Sequence, residues 1–378
     1  MRIGILTLPL HTNYGGILQA YALQRVLQGM GHEVMVIDEE KQFRFSLKRR
    51  IEMYVKGKIK RLLKGKEAII YSPEYYKRLW EARTKHTGQF IGEHIARRVV
   101  ADVSEIVADD FDAFVVGSDQ IWRARYAQPF PGVGNAFLLF TKGWSVKRIS
   151  YAASFGTDKW EYGKSDTADC AMMAQMFDAI SVREASGVKL CKEYLHVGAV
   201  HVVDPTLLLD ASDYTQLIKK DTPKHQGNLM CYVLDKGLDT DNILSDIAQK
   251  RGLKPFCANS QTENQKLSLE ERVQPSVEQW LQGFRDAEFI VTDSFHACIF
   301  AILYRKPFVV VGNKSRGMAR FESLLQMFGL EERLVLSYED YCQRKKSLLC
   351  PIDYEQVARA LEEKRGEAAK FLQQALSE

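Results

Sequence analysis

The sequence contains no run of eighteen apolar residues, so it offers no membrane-spanning helix. Its opening, MRIGILTLPLH, lacks the charged, apolar and cleavage regions of a secretory signal and reads as a first strand. The seven cysteines are odd in number, scattered and free of any C-x-x-C pair. That pattern argues against a disulfide framework or a zinc site and suits reduced thiols, so a cytoplasmic location is expected. Net charge is only +4 over 378 residues, too little to point to nucleic acid. Internal repeats and low-complexity tracts are missing, and so is G-x-G-x-x-G, which leaves a dinucleotide site without direct support.

What remains is an ordinary globular composition, 46% hydrophobic and 26% charged, on a chain long enough for two cores. The organising stretch is 289–312, FIVTDSFHACIFAILYRKPFVVVG. It alternates a short apolar run, a polar turn, a longer apolar segment and a second apolar run. A buried strand, a helix and another buried strand give this order, and the helical crossover makes the strands parallel. In such units ligands collect at the carboxyl ends of the strands. Asp293, Ser294 and His296 fall at that end.

The same grammar runs through the first half. Residues 2–7 form a strand, 8–16 a polar loop with Asn13, Tyr14, Gly15 and Gly16, and 17–30 a helix. The glycine pair suits either an anion cradle or close helix–sheet packing. Residues 41–66 then hold many lysines and arginines against one acid, Glu52, with apolar residues at helical spacing. Such a helix either lies on an anionic membrane surface or covers the domain with its apolar face. With a further helix over 73–98 it forms a long insertion before the third core strand. Later strands at 112–116, 149–153, 179–182 and 201–203 end in Ser118, Asp119 and Gln120, in Ser154, in Arg183 and in Asp204. Turn chemistry explains some of these residues but not Arg183. The expected division is a first domain over 1–206 with the insertion at about 41–100, a second over 207–350, and a terminal helix over 351–378 that packs back on the first. A polar loop at 313–320 bears Arg316 and Arg320.

If the strand ends face one another, these residues line a cleft. Arginines from both domains suit a small polyanion, and a histidine beside them can carry a proton near neutral pH. Read alone, His296 fits a buried, hydrogen-bonded histidine as well; its place in a Thr-Asp-Ser-Phe-His turn favours chemistry. His11, His32, His86 and His94 have no partners at ligand spacing.

Six segments in order resemble the polysaccharide pyruvyl transferase family: NYGGILQAYALQ (13–24), VVGSDQIW (115–122), SYAASFG (150–156), SVRE (181–184), VVDPTLLL (202–209) and TDSFHACIFA (292–301). The resemblance implies an α/β fold of two facing Rossmann-like domains with parallel sheets, similar to the glycosyltransferase B architecture. It also implies transfer of a pyruvyl group from phosphoenolpyruvate, as co-substrate, to two sugar hydroxyls, forming a cyclic ketal. The acceptor would be a surface or exopolysaccharide, or its lipid-linked precursor. No metal, nicotinamide or nucleic acid is implied. Arg183 matches the family's donor-binding arginine and His296 the histidine of its Arg-x-His motif. Asn13, Tyr14, Gly15, Gly16, Ser118, Asp119, Gln120, Ser154, Asp293, Ser294, Arg316 and Arg320 are then the expected substrate-binding residues. One position departs from the family: Ser294 stands where many members have arginine, which removes a cation that Arg316 or Arg320 would have to supply. A nucleotide-sugar glycosyltransferase of the same shape, and a degenerate glycan-binding protein, are the alternatives. Peripheral contact with the inner membrane face through 41–66 is a further expectation.

Overall fold

The computed structural model describes residues 1–378 except 42, 44, 65–71, 261–263, 265–266, 269, 313–316 and 378. Its first sheet comprises β1 (Arg2–Leu6), β2 (Glu33–Glu39), β3 (Arg97–Val100), β4 (Ala113–Val116), β5 (Lys147–Ala153), β6 (Ala179–Val182) and β7 (Val200–His201). Their spatial order is β3-β2-β1-β4-β5-β6-β7, all parallel. The second sheet has β8 (Leu229–Tyr232), β9 (Pro255–Cys257), β10 (Phe289–Thr292), β11 (Phe308–Val311) and β12 (Leu334–Val335) in the order β12-β11-β10-β8-β9, again parallel. Central strands such as β4, β10 and β11 are buried along their whole length. Both faces of a parallel sheet are covered by helices, so these strands read as unbroken apolar runs.

The first domain carries α1 (Tyr14–Gly29), α2 (Leu47–Lys64), α3 (Pro73–His94), α4 (Ala124–Ala127), α5 (Lys164–Ala174) and α6 (Ala185–Leu190). After the short α7 (Ala211–Thr215), the second has α8 (Leu238–Arg251), α9 (Val277–Asp286), α10 (Phe295–Leu303), α11 (Ala319–Phe328) and α12 (Tyr338–Leu348). The last helix, α13 (Tyr354–Leu376), sets Phe371 against Tyr151 of β5, and Arg365 donates to the carbonyls of Leu207 and Leu209. One apolar cluster runs through both domains. At its centre Tyr14 stacks on Trp280, with ring centroids 5.2 Å apart, and its hydroxyl donates to the Pro275 carbonyl. Burial of these aromatics clamps the two sheets together.

Three local expectations change. The helix α1 begins at Tyr14 rather than Ile17, so Gly15 and Gly16 lie in its first turn instead of a loop. The stretch after α3 is an edge strand, β3, whose Arg97 pairs with Asp38 at 2.7 Å. Half-exposed and rich in arginine, it carries no buried-strand pattern to read. Arg320 sits in the first turn of α11, not in the preceding loop.

Candidate active site

Arg183 follows β6 directly and is 3% exposed. Its Nη1 donates to Asp204 Oδ2 at 2.8 Å, while Nη2 lies 3.5 Å from Asp119 Oδ1 and Nε 3.8 Å from Glu184 Oε1. Asp204 follows β7 and caps the turn Pro205–Leu208 through the Thr206 N–H. Its carboxylate also accepts from Ser118 Oγ at 3.1 Å and from Thr206 Oγ1 at 2.7 Å. From the other domain, His296 brings Nε2 to 3.5 Å from the same Asp204 Oδ2. Arg183 and His296, 113 positions apart in sequence, thus meet on one buried carboxylate.

Burial opposes ionisation of Asp204, but His296 and Arg183 outweigh it and hold the carboxyl well below the usual carboxylate range. For Glu184 burial wins and its carboxyl is raised, although Arg183 and the Ser154 hydroxyl pull the other way. Burial, together with the nearby Arg183, lowers Arg320 to about 10. The centre is therefore a dense, dehydrated array of both signs, in which each charge depends on its neighbours.

Two helix N-termini converge there. No side-chain cap hydrogen bond serves α1, whose N-cap is Asn13, or α10, whose N-cap is Ser294. Their first-turn N–H groups and dipoles favour an anion. Gly15 makes the approach possible. A Cβ there would overlap Nδ1 and Cγ of His296 and lie 2.7 Å from its Cβ. Among the described residues, Arg183 Nε and Nη2 and His296 Nε2 make no hydrogen bond of ordinary geometry and face only the longer contacts to Glu184, Asp119 and Asp204. Buried donors in native proteins are nearly always satisfied, so this set is a candidate binding position.

The remaining expected residues divide into those at this centre and those outside it. Ser118 contacts Asp204, and Asn13 Nδ2 donates to Asp119 at 3.3 Å. Ser154 Oγ donates to Glu184 and receives the Gly156 N–H. Gln120 accepts from Arg123 Nη1, and Gly16 lies on the wall of the adjoining cavity. Tyr14 is held in the interdomain aromatic cluster. Asp293 turns away: its two oxygens take the N–H groups of Leu234 and Asp235, tying β10 to the segment after β8. Ser294 is half-buried and its N–H donates to Thr292 Oγ1. Arg316 lies outside the described residues.

The sequence reading assigned no role to Asp204, Glu184 or Phe295. Asp204 was visible only as the polar end of a strand, like several others. Phe295 read as the first core residue of a helix.

Beside Asn13, Gly16, Asp119 and Gln120 opens a cavity of about 720 Å³. Its walls include His11, Glu39 and Glu40, with Trp80 and Thr84 of α3 and Tyr126 from the other side. That volume falls within the usual range for small-molecule sites, and aromatic faces beside carboxylates suit a polyhydroxylated ligand.

Two facing α/β domains with parallel sheets and a site at their junction define the glycosyltransferase B-like architecture. A protein of Listeria monocytogenes assigned as a UDP-N-acetylglucosamine 2-epimerase shares this fold, with a TM-score of 0.52 at 12% identity over 98% of this chain and 94% of its own. The glycosyltransferase of kitacinnamycin superposes with a TM-score of 0.50 at 10% identity, covering 100% and 99% of the two chains. At such identities the likeness concerns the fold alone. No curated protein sequence matches the chain significantly. The chain belongs to the polysaccharide pyruvyl transferase family, whose model matches residues 13–315. Among the described residues, no helix is long and apolar enough to cross a membrane.

Proposed function

We propose that the protein transfers a pyruvyl group from phosphoenolpyruvate to two hydroxyls of a sugar in a surface or exopolysaccharide, or in its lipid-linked precursor. The observation that carries this reading is the meeting of Arg183 and His296 on Asp204, with donors that make only long ion-pair contacts, between two helix N-termini that no side chain caps. The Nε and Nη2 donors form one edge of the guanidinium, matched to a carboxylate or phosphate. Arg320, also against the Phe295 ring, adds a second cation where Ser294 supplies none.

The reaction needs these groups. A sugar oxygen forms a bond to the enol carbon of phosphoenolpyruvate and gives up its proton, while the methylene carbon gains one and becomes methyl. The C–O bond to phosphate then breaks, and the second hydroxyl adds to the same carbon and loses its proton. The products are the cyclic ketal and inorganic phosphate. Arg183 holds the donor anion, and His296 exchanges a proton or donates a hydrogen bond to the departing phosphate. Neither metal nor nicotinamide enters this balance. The acceptor occupies the cavity beside Asp119, with Trp80 and Tyr126 as apolar faces. A nucleotide-sugar donor is less well matched: the cavity at the strand ends of the second sheet is lined by Asp235, Asp239 and Asp293, which repel a diphosphate.

Phosphate release and ketal formation from phosphoenolpyruvate, measured with a panel of glycans and glycolipid intermediates, test the reading. His296→Asn is expected to lower turnover by about a hundredfold to ten-thousandfold, the usual share of acid–base catalysis. Arg183→Lys is expected to raise the concentration of phosphoenolpyruvate needed for half-maximal rate, since a lysine loses the paired edge. Full activity in both variants rejects the assignment.

A further inference from the structure

The outward face of α2 carries an inference independent of the transfer reaction. Leu47, Ile51, Tyr54, Val55, Ile59 and Leu62 recur at the spacing that places them on one face of a helix. A helix belonging to a water-soluble surface turns such a face inward. This one does the reverse. Leu62 is 85% exposed, Leu47 72% and Tyr54 64%, whereas Met53 and Gly57, on the opposite side, are the buried residues. Around the apolar face stand Lys48, Lys56, Lys58 and Arg61, all exposed. Across 41–66 there are eleven lysines and arginines and one acid, Glu52, which Arg49 already pairs at 3.4 Å. The surrounding charge is thus almost entirely of one sign.

We infer that α2 is an interfacial anchor that docks this protein on an anionic lipid bilayer. Exposed apolar side chains enter the headgroup and acyl boundary, and the flanking cations pair with anionic headgroups. Charge complementarity selects this occupant: a second copy of the chain would set one basic segment against another. The insertion also gives docking a consequence. Its second helix, α3, supplies Trp80 and Thr84 to the cavity beside the site, so docking brings that cavity close to the headgroups.

The test is flotation of the full chain with vesicles of pure phosphatidylcholine and with vesicles of three parts phosphatidylcholine to one part phosphatidylglycerol. Binding to the anionic vesicles alone, weakened by high salt, is expected. Lys48→Gln/Lys56→Gln/Lys58→Gln is expected to weaken it on the order of a hundredfold. Ile51→Ser/Leu62→Ser is expected to weaken it as well, because burial of the apolar face contributes independently of charge. All five positions are exposed, and an unchanged thermal midpoint shows that the variants fold. Equal binding to neutral vesicles, absence of binding, or a dimer that the serine pair converts to monomer each overturns the inference. The readout involves no pyruvyl transfer, so its failure is separate from failure of the proposed reaction.

Discussion

Gly15→Ala is expected to abolish phosphoenolpyruvate-dependent phosphate release while leaving the protein folded. The added methyl would occupy the place of the His296 imidazole, which lies against Gly15 in the first turn of α1. Either the ring rotates away from Asp204 or the two domains separate at this point. Overpacking of this kind costs about 1–3 kcal/mol of stability. Its effect on catalysis is larger, since a displacement of about 1 Å can lower a rate a hundredfold. Rate assays beside thermal melts distinguish the two effects: a large rate loss with a modest fall in melting temperature is the expected pattern. Unimpaired turnover would show that the position of His296 does not matter.

Asp204→Ala is expected to have the largest effect on stability. Asp204 is fully buried and holds Arg183, Ser118 and Thr206, with His296 facing it. Its loss strips Arg183 of its shortest ion pair in a dehydrated setting, where breaking such a pair costs about 3–5 kcal/mol. Asp204→Asn keeps the shape and removes the charge, so a smaller loss is expected. The pH dependence follows from the depressed carboxyl. A lowered folded value means that the stabilisation is complete above the ordinary carboxylate value of about 4 and is lost as pH falls through the depressed one. The stability gap between wild type and Asp204→Asn should therefore hold from neutral pH to about 4 and narrow below it. Chemical denaturation across that range checks both the size and the sign.

The sequence exposed the framework well because a parallel sheet buries its strands on both faces. Runs such as Val115-Val116, Ile180-Ser181-Val182 and Phe308–Val311 needed no partner to be recognised. Edge elements were harder. The pair Arg97-Arg98 in β3 is not buried and carries no strand pattern, so the sequence there reads as a continuation of the helix. Arg183 stood out because turn chemistry does not explain its position, and His296 because it sits in a Thr-Asp-Ser-Phe-His turn at a strand end. Asp204 did not, because aspartate before proline is ordinary turn chemistry, and only folding reveals that Arg183 and His296 meet on it. For α2, periodicity and charge are legible in the sequence but direction is not. Which face of an amphipathic helix meets the protein depends on what the domain offers beneath it, and here that contact falls on Met53 and Gly57.

Ser294 stands where the family resemblance implies an arginine. Arg320 reaches the Phe295 ring from α11, and burial beside Arg183 has already lowered it to about 10. An anion bound beside the two arginines would relieve that repulsion.

A crystal structure with bound phosphoenolpyruvate is the most direct test of this account. It predicts the ligand between the first turns of α1 and α10, with its carboxylate or phosphate within hydrogen-bond distance of Arg183 Nε and Nη2 and of His296 Nε2. A ligand bound instead at the strand ends of the second sheet, beside Asp235 and Asp293 and touching neither residue, would contradict it.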